Sequence, residues 1–398
     1  MTPTAASLPD TTTSLRPVKP SERIAALDIL RGAAMGGVLL AYALWNLGNA
    51  PEKSYSAAEL ALDRMLAALI DTKCYTLLAF LFGLGFALQL TRAEARGGGI
   101  VLVYCRRLLA LLLIGLAHAL LLRNGDILVP YAITGFLLLI FRNAAGWVLA
   151  LGALGGLVWP YLSRGVWDWT GLPFPARPDA ASLGYLAENF AWVRYWYSIG
   201  IVQWPASLPL FLCGLYVGKQ RYLDRLEAHR RGLRRILIVG LSIGMLAYTS
   251  RVWIFPKTAP AIVLGLLWSV HAWGLAACYA TAILLLTQSP TWQRRLAALG
   301  AVGRMALTHY LLQAALLVPV CLYFSLFDRV TPRVGLLLAL AVWSVQLPFS
   351  VWWLRRFHFG PAEWVWRSLT YGKPQPLRIS ASGNSIKTSS QDQITTPS

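Results

Sequence analysis

Two ionisable side chains, eight residues apart in an apolar stretch, could act together as an acid–base pair. His118 lies within the apolar run 107–123, and Asp126 follows a short turn that contains Gly125. A neutral histidine exchanges protons near pH 7, which suits a general base, and a nearby carboxylate would assist it. His118 is 11 residues beyond Arg107, about 16 Å along a helix, which predicts a position near the middle of a bilayer. A histidine that only hydrogen-bonds to a neighbouring helix is the structural alternative.

Three arginines near one end of these apolar runs could bind an anionic ligand. Arg106 and Arg107 precede His118, and Arg31 belongs to the run Leu27-Asp28-Ile29-Leu30-Arg31-Gly32. The planar guanidinium fork suits phosphate oxygens. Asp28 shares a helix face with Arg31, so an ion pair that fixes the depth of the helix is the alternative role for both.

Two further sets of polar residues fall inside apolar runs. Lys73, close to Asp71, could snorkel toward the surface or pair with a carboxylate inside the bundle. His309 and Gln313 lie one helical turn apart and could be catalytic or form interhelical hydrogen bonds. The five cysteines are isolated, so the sequence predicts neither a disulfide framework nor a metal site.

The elements that would position these side chains are membrane-spanning helices. The chain has 398 residues, 57% of them hydrophobic and 13% charged, whereas soluble domains contain about 25% charged residues. The apolar runs are continuous rather than alternating, which favours helices over a β-barrel. The predicted fold is all-α, a polytopic bundle of about ten helices. They are expected near residues 26–47, 66–90, 107–123, 126–142, 145–163, 198–218, 233–253, 261–287, 301–324 and 334–354.

The distribution of charge predicts the orientation of the bundle. Most of the 36 Lys and Arg residues fall in segments on the same side as the N-terminus, so both termini are predicted to be cytoplasmic. The net charge of +19 is then explained by topology and lipid headgroups, and no nucleic-acid partner is expected.

The polar, Ser- and Thr-rich segments 1–22 and 374–398 are predicted to be disordered tails around a membrane domain at 23–373. The aromatic-rich connection 164–197, with Trp167 and Trp169, is predicted to be an interfacial belt or, alternatively, an acceptor platform.

Several motifs resemble the YeiB-like family, known as domain of unknown function 418. The matching runs are Gly303 to Gln313, Arg356 to Gly372, Leu27 to Gly32, Phe80 to Phe86, and Gly125 to Leu128 with Tyr131 and Ala132. The resemblance covers about 23–378, with the C-terminal signature region at about 220–373. His309 stands where the family more often has Asn.

The N-terminal half also resembles, more distantly, heparan-α-glucosaminide N-acetyltransferase and other membrane acyltransferases. The shared features are the Leu-Asp-x-x-Arg-Gly start and a second helix rich in Phe and Gly, followed by basic residues. The resemblance implies that acyl-CoA enters from the cytoplasm and that the acyl group passes to an acceptor, often a sugar, at or across the membrane.

The sequence and these resemblances together lead to two hypotheses. The first is a membrane acyltransferase in the bacterial inner membrane, with a hydroxyl or amine acceptor, a small molecule or a glycan. His118 and Asp126 would be catalytic, and Arg31, Arg106 and Arg107 would bind CoA without any metal. The second is a non-enzymatic transporter or lipid-handling protein, which could be proton-coupled. The lipid bilayer is a partner in both, and the sequence leaves an oligomer open.

Overall fold

The computed structural model describes residues 24–47, 51–95, 100–122, 125–159, 184–255, 259–327 and 329–379. Across these ranges the chain is almost entirely helical, and the β contact found there is one isolated antiparallel bridge between Phe357 and Arg378. The α-helices of these ranges are α1 (Ala25–Ala41), α2 (Ala57–Leu69), α3 (Lys73–Ala95), α4 (Val101–Leu121), α5 (Leu128–Ile140), α6 (Gly146–Gly155), α7 (Tyr185–Gln203), α8 (Leu208–Lys219), α9 (Arg230–Thr249), α10 (Ala261–Leu286), α11 (Pro290–Arg295), α12 (Ala297–Arg304), α13 (Ala306–Tyr323), α14 (Pro332–Leu354) and α15 (Pro361–Tyr371).

The architecture is that of a multi-pass membrane protein, which confirms the all-α class. In the described ranges, seven helical segments are long and apolar enough to cross a bilayer. Three further apolar helices coincide with predicted spans but are shorter, at Leu128–Asn143, Gly146–Gly155 and Leu208–Lys219. A helix of 12 residues is only about 18 Å long, less than the roughly 30 Å of hydrocarbon. The expected number of ten spans and the cytoplasmic termini therefore remain predictions.

The second predicted helix, 66–90, is wrong at its beginning. Ser56 starts α2 ten residues earlier through a capping box, in which Glu59 N donates to Ser56 Oγ and Ser56 N donates to Glu59 Oε2. The helix then ends at Leu69, and Thr72 turns the chain with a positive φ of 64° before α3 begins at Lys73. Hydropathy averaged over a long window does not locate this break, because the polar run Asp71-Thr72-Lys73 is short and lies between apolar residues.

The predicted connection 164–197 is also wrong from Tyr185 onward, where α7 begins. Trp167, Trp169 and the rest of 160–183 lie outside the described residues. Within α7, the rings of Trp192, Tyr195 and Trp196 pack against one another with centroids 5.4 to 6.5 Å apart. Within the predicted belt, Trp192, Tyr195 and Trp196 therefore belong to a helix.

The C-terminal end of the described chain docks on the bundle beyond the predicted domain boundary at 373. Trp364 Nε1 donates to Gln375 O at 2.7 Å, and His358 N donates to Leu377 O at 2.9 Å. Contacts thus continue to Ile379, whose N donates to Arg356 O at 3.1 Å. The predicted N-terminal tail 1–22 and residues 380–398 lie outside the described ranges.

Two helix crossings are close enough that they require glycine. A Cβ added to Gly83 of α3 would overlap the backbone of Phe211, and one added to Gly214 of α8 would overlap the backbone of Phe80. The crossing of α1 and α12 is alike, because a Cβ on Gly303 would overlap the backbone of Asp28. Small residues let membrane helices approach at backbone distance, so that van der Waals contact holds them together.

Candidate functional site

The structure brings His118 and Asp126 together. His118 Nδ1 lies 3.0 Å from Asp126 Oδ1, and their side chains are 1% and 0% exposed. α4 ends at Leu121 and α5 begins at Leu128, so the short connection returns Asp126 beside the last turn of α4. The expected pairing of a histidine with a carboxylate is therefore present in the geometry.

The position of His118 along its helix differs from the expected one. α4 begins at Val101, so Arg107 is already inside the helix and His118 lies three residues before its end. The separation between Arg107 and His118 stays about 16 Å because both are on one continuous helix. His118 is therefore close to the predicted outer end of the helix rather than near its middle.

Tyr310 is a third member of this site. Its hydroxyl donates to Asp126 Oδ1 at 3.2 Å and accepts from Ile127 N at 3.0 Å. Its ring centroid lies 4.8 Å from that of His118. Asp126 Oδ2 in turn accepts from Val129 N at 2.7 Å, which fixes the carboxylate at the start of α5. We did not predict Tyr310, although it is adjacent to His309 in the matching C-terminal motif.

The second ring nitrogen of His118 is the chemically open atom of the site. Both ring nitrogens of His118 are buried, and neither makes a hydrogen bond of normal geometry among the described residues; Nδ1 lies at ion-pair distance from Asp126 Oδ1, whereas Nε2 has no such contact. A carboxylate beside Nδ1 favours the tautomer that carries its proton on Nδ1, which leaves a lone pair on Nε2. The arrangement can accept a proton at Nε2 while Asp126 stabilises the resulting imidazolium.

Helix α7 closes the end of α4 above this pair. Asn189 Nδ2 donates to the carbonyl oxygens of Ala119 at 2.6 Å and Leu120 at 2.9 Å, and the Tyr185 hydroxyl donates to Leu122 O. Tyr197, further along α7, interacts electrostatically with Asp126. α7 therefore covers the side of the site that faces the predicted outer surface.

Arg31 and Arg107 converge with a third arginine near the opposite end of α4. Arg107 interacts electrostatically with Arg31 of α1 and Arg367 of α15. Its guanidinium carbon lies 3.9 Å from the centroid of the Trp366 ring, and Trp366 Nε1 donates to Arg107 O at 2.8 Å. Arg107 thus has two other cations in its neighbourhood, and their combined positive charge would attract an anionic ligand to this end of α4.

Asp28 and Arg106, the other predicted residues in this region, differ in their surroundings. Asp28 Oδ1 pairs with Arg31 Nη1 at 3.0 Å, as the i,i+3 spacing predicts, and the Arg31 side chain remains 32% exposed. Arg106 is exposed on α4, and adjacent helical residues point about 100° apart. The structure therefore groups Arg31 with Arg107 and leaves Arg106 on another side of the helix.

His309 and Gln313 belong to a separate buried seam between α1, α13 and α14. His309 Nε2 lies 2.5 Å from Ser350 Oγ, and Gln346 Nε2 donates to His309 O at 3.4 Å. Gln313 Nε2 donates to Met35 O at 3.4 Å. These contacts match the structural alternative, in which both residues hydrogen-bond between helices.

Lys73 is fully buried and does not snorkel outward. Its Nζ donates to Ala67 O at 2.9 Å and lies 4.8 Å from the centroid of the Trp268 ring. Asp71 is close enough to interact with it electrostatically. Lys73 thus joins the end of α2 to α10.

The C-terminal signature builds a clasp at the start of α13. Glu363 Oε1 accepts from Leu307 N at 2.7 Å and Thr308 N at 3.0 Å, and Oε2 accepts from Thr308 Oγ1 at 2.5 Å. Burial raises the pKa of Glu363, and the hydrogen bonds from Thr308 act in the opposite direction. Glu363 therefore serves as the N-terminal cap that α13 lacks within its own sequence.

We expect Glu363→Ala to destabilise the protein by about 1–3 kcal/mol for each backbone amide that it leaves buried and unpaired. Glu363→Gln keeps an oxygen acceptor and should lose less. The measurement is thermal unfolding of both variants in detergent. Equal melting temperatures for wild type and Glu363→Ala would show that the clasp contributes nothing.

Comparison with known proteins identifies the same family as the C-terminal motifs that form this clasp. Residues 217–373 match the family model described as "Protein of unknown function (DUF418)". The chain is 35% identical to "Uncharacterized protein YxaH" of Bacillus subtilis (strain 168), an alignment that covers 92% of this chain and 98% of that protein. It is 27% identical to "Uncharacterized protein YeiB" of Escherichia coli (strain K12), over 88% of this chain and 96% of that protein. No solved structure matches. With relatives aligned along nearly their full length, the chain belongs to the YeiB-like DUF418 family.

Proposed function

We propose that this protein is an acyl-CoA-dependent membrane acyltransferase. The observation that carries the proposal is the buried His118–Asp126 pair, 3.0 Å apart, with His118 Nε2 left without a hydrogen-bond partner in the described part of the chain. Ionisable side chains buried within a membrane bundle are costly and frequently mark functional sites. The distant resemblance to membrane acyltransferases supplies the reaction class by analogy.

The positions of the charged groups suit transfer across a membrane. The arginine cluster lies near the predicted cytoplasmic end of α4, where Arg31 and Arg107 would hold the phosphates of CoA. His118 is about 16 Å away on the same helix, near the predicted outer end. A long flexible arm such as pantetheine can bridge a separation of this size, so the thioester would reach the His118 site from inside.

The reaction at this site would need no metal. His118 Nε2 takes the proton of the acceptor hydroxyl or amine as its oxygen or nitrogen attacks the thioester carbonyl carbon. The tetrahedral intermediate collapses, its carbon–sulfur bond breaks, and the CoA thiolate leaves and takes a proton from the His118 imidazolium. Asp126 stabilises that imidazolium in between, and Tyr310 holds the carboxylate in place.

Access of the acceptor would require movement of α7. The side chains of His118 and Asp126 are 1% and 0% exposed, and Asn189 ties α7 across the end of α4. Lids that exclude water and then open for product release are common in enzymes. We place the acceptor, a small molecule or a glycan, on the outer side of the bacterial inner membrane, with both termini in the cytoplasm.

A transporter is the second candidate, because ionisable side chains are buried in two places. His271 is fully buried, its Nδ1 lies 2.9 Å from Gly244 O, and it interacts electrostatically with Lys73. Intramembrane histidines and lysines also form proton relays. A transporter would neither bind CoA from inside nor release its thiol, so CoA separates the two candidates.

We expect Arg107→Ala to weaken CoA binding about tenfold or more, because a charge-assisted hydrogen bond contributes about 1.5–3 kcal/mol. Arg106→Ala is the matched control on the adjacent residue. The exposed side chain of Arg106 should contribute less to the free energy of CoA binding, and that contribution should decrease as the salt concentration rises. The measurement is calorimetric titration of CoA into purified protein. Wild-type protein that binds no CoA would contradict the proposed function.

A further inference from the structure

A partly open, almost entirely apolar cavity of about 520 Å³ lies between α1, α3, α8, α9 and α10. Typical small-molecule sites have volumes of about 300–1,000 Å³. Along α10 its lining runs from Trp273 to Leu284, a rise of about 16 Å. That length matches one leaflet of a bilayer whose hydrocarbon is about 30 Å thick. The cavity therefore has the dimensions and polarity of a site for an acyl chain in a single leaflet.

The cavity is separate from the His118 site. Thr76, Phe80 and Leu84 line it from one face of α3. Tyr75 lies on another face of α3, where its carbonyl oxygen accepts from the Tyr131 hydroxyl at 2.9 Å. His118, Asp126 and Tyr310 do not line the cavity, which therefore lies apart from that site.

The rim of the cavity at the predicted cytoplasmic side is basic. Tyr222 and His229 line the entrance with ring centroids 5.3 Å apart. Arg230 and Arg231 follow directly at the exposed N-terminus of α9, and Arg234 and Arg235 come one turn later, also exposed. The nearby Asp224 pairs with Arg221 at 3.4 Å, and the exposed Arg225 and Glu227 of the same loop carry opposite charges, so the four α9 arginines leave an excess of positive charge at the rim. A helix N-terminus adds to this attraction for an anion.

We propose that this cavity binds one acyl chain of an anionic phospholipid from the cytoplasmic leaflet, with the headgroup phosphate held by the arginines at the start of α9. The apolar lining accounts for the chain, and the basic rim accounts for the headgroup. Juxtamembrane basic residues each contribute to the binding of anionic lipids, and the exposed position of Arg230 and Arg231 suits that role.

The test is retention of phosphatidylglycerol or of phosphatidylcholine with the same chains, measured by native mass spectrometry of the full-length protein in detergent. We expect one retained phosphatidylglycerol and much less phosphatidylcholine. Ala277→Phe fills the cavity and should lower retention about tenfold or more, because even two displaced methylenes contribute that much. Ala282→Phe, on the same helix but outside the lining, is the matched control and should retain the lipid.

A second variant keeps the test decisive if Ala277→Phe fails to fold. Replacing Arg230 and Arg231 with Ala alters only exposed positions and should lower phosphatidylglycerol retention about fivefold per arginine. Equal retention of the two lipids, or retention that survives both variants, would overturn the proposal. Displacement of the lipid by palmitoyl-CoA in equal number would also overturn it, by assigning the cavity to an acyl donor.

Discussion

His118→Ala should lower turnover by about a hundredfold or more while CoA affinity stays nearly unchanged. A positioned general base contributes about 10²–10⁴ in rate, and in the proposed reaction that base is His118 Nε2, with Asp126 Oδ1 3.0 Å from the other ring nitrogen. Arg107, which would bind CoA, lies about 16 Å away along α4, so we expect CoA affinity to stay nearly unchanged. The measurement pairs thiol release from acyl-CoA with calorimetric CoA binding on the same preparation.

His309→Ala is the control for loss of a buried histidine. His309 hydrogen-bonds to Ser350 of α14 rather than to Asp126, so its loss should affect stability more than turnover. Melting temperatures of both variants separate the two effects. If His118→Ala retains full turnover on folded protein, the base lies elsewhere and the proposed role of the pair is wrong.

Gly83→Leu should destabilise the bundle severely, because α3 and α8 touch backbone to backbone at this point. Even a single Cβ would overlap the Phe211 backbone, and that backbone cannot rotate away as a flexible side chain could. Overpacking usually destabilises by about 1–3 kcal/mol, and a leucine here would separate two helices over their whole crossing. We expect loss of most folded protein, measured by size-exclusion chromatography and thermal unfolding in detergent.

Gly85→Ala is the matched control two residues further along α3. A Cβ at Gly85 meets nothing within 4 Å, and alanine is the better helix former by about 1 kcal/mol. This variant should fold as well as wild type or better. A wild-type melting temperature for Gly83→Leu would mean that α3 and α8 do not cross as closely as the structure has them.

The class of fold and half of the candidate site could be predicted from sequence because both depend on local patterns. Continuous apolar runs require helices in a membrane, and Gly125 between two such runs brings Asp126 back toward His118. The same local reasoning paired Asp28 with Arg31, three residues apart.

The rest depends on contacts between residues far apart in sequence. Tyr310 reaches Asp126 across 184 positions, and Trp366 reaches Arg107 across 259. Hydrophobic periodicity is a local pattern, so it does not predict contacts between residues that are far apart in the chain. The break between α2 and α3 could not be predicted for another reason. It depends on the positive φ of Thr72, and a backbone angle at one residue does not change the hydropathy of the segment. α7 was missed because charged and aromatic residues such as Glu188 and Trp196 lower its apolar character.

The most direct test of the proposed function is release of CoA thiol from acyl-CoA by the purified, folded protein, with a bacterial membrane extract as the source of acceptor. We expect release above the uncatalysed background, with the acyl group recovered on a component of the extract and both lost in His118→Ala. Wild-type protein that is folded yet neither binds CoA nor releases its thiol would contradict acyl transfer and favour the transporter.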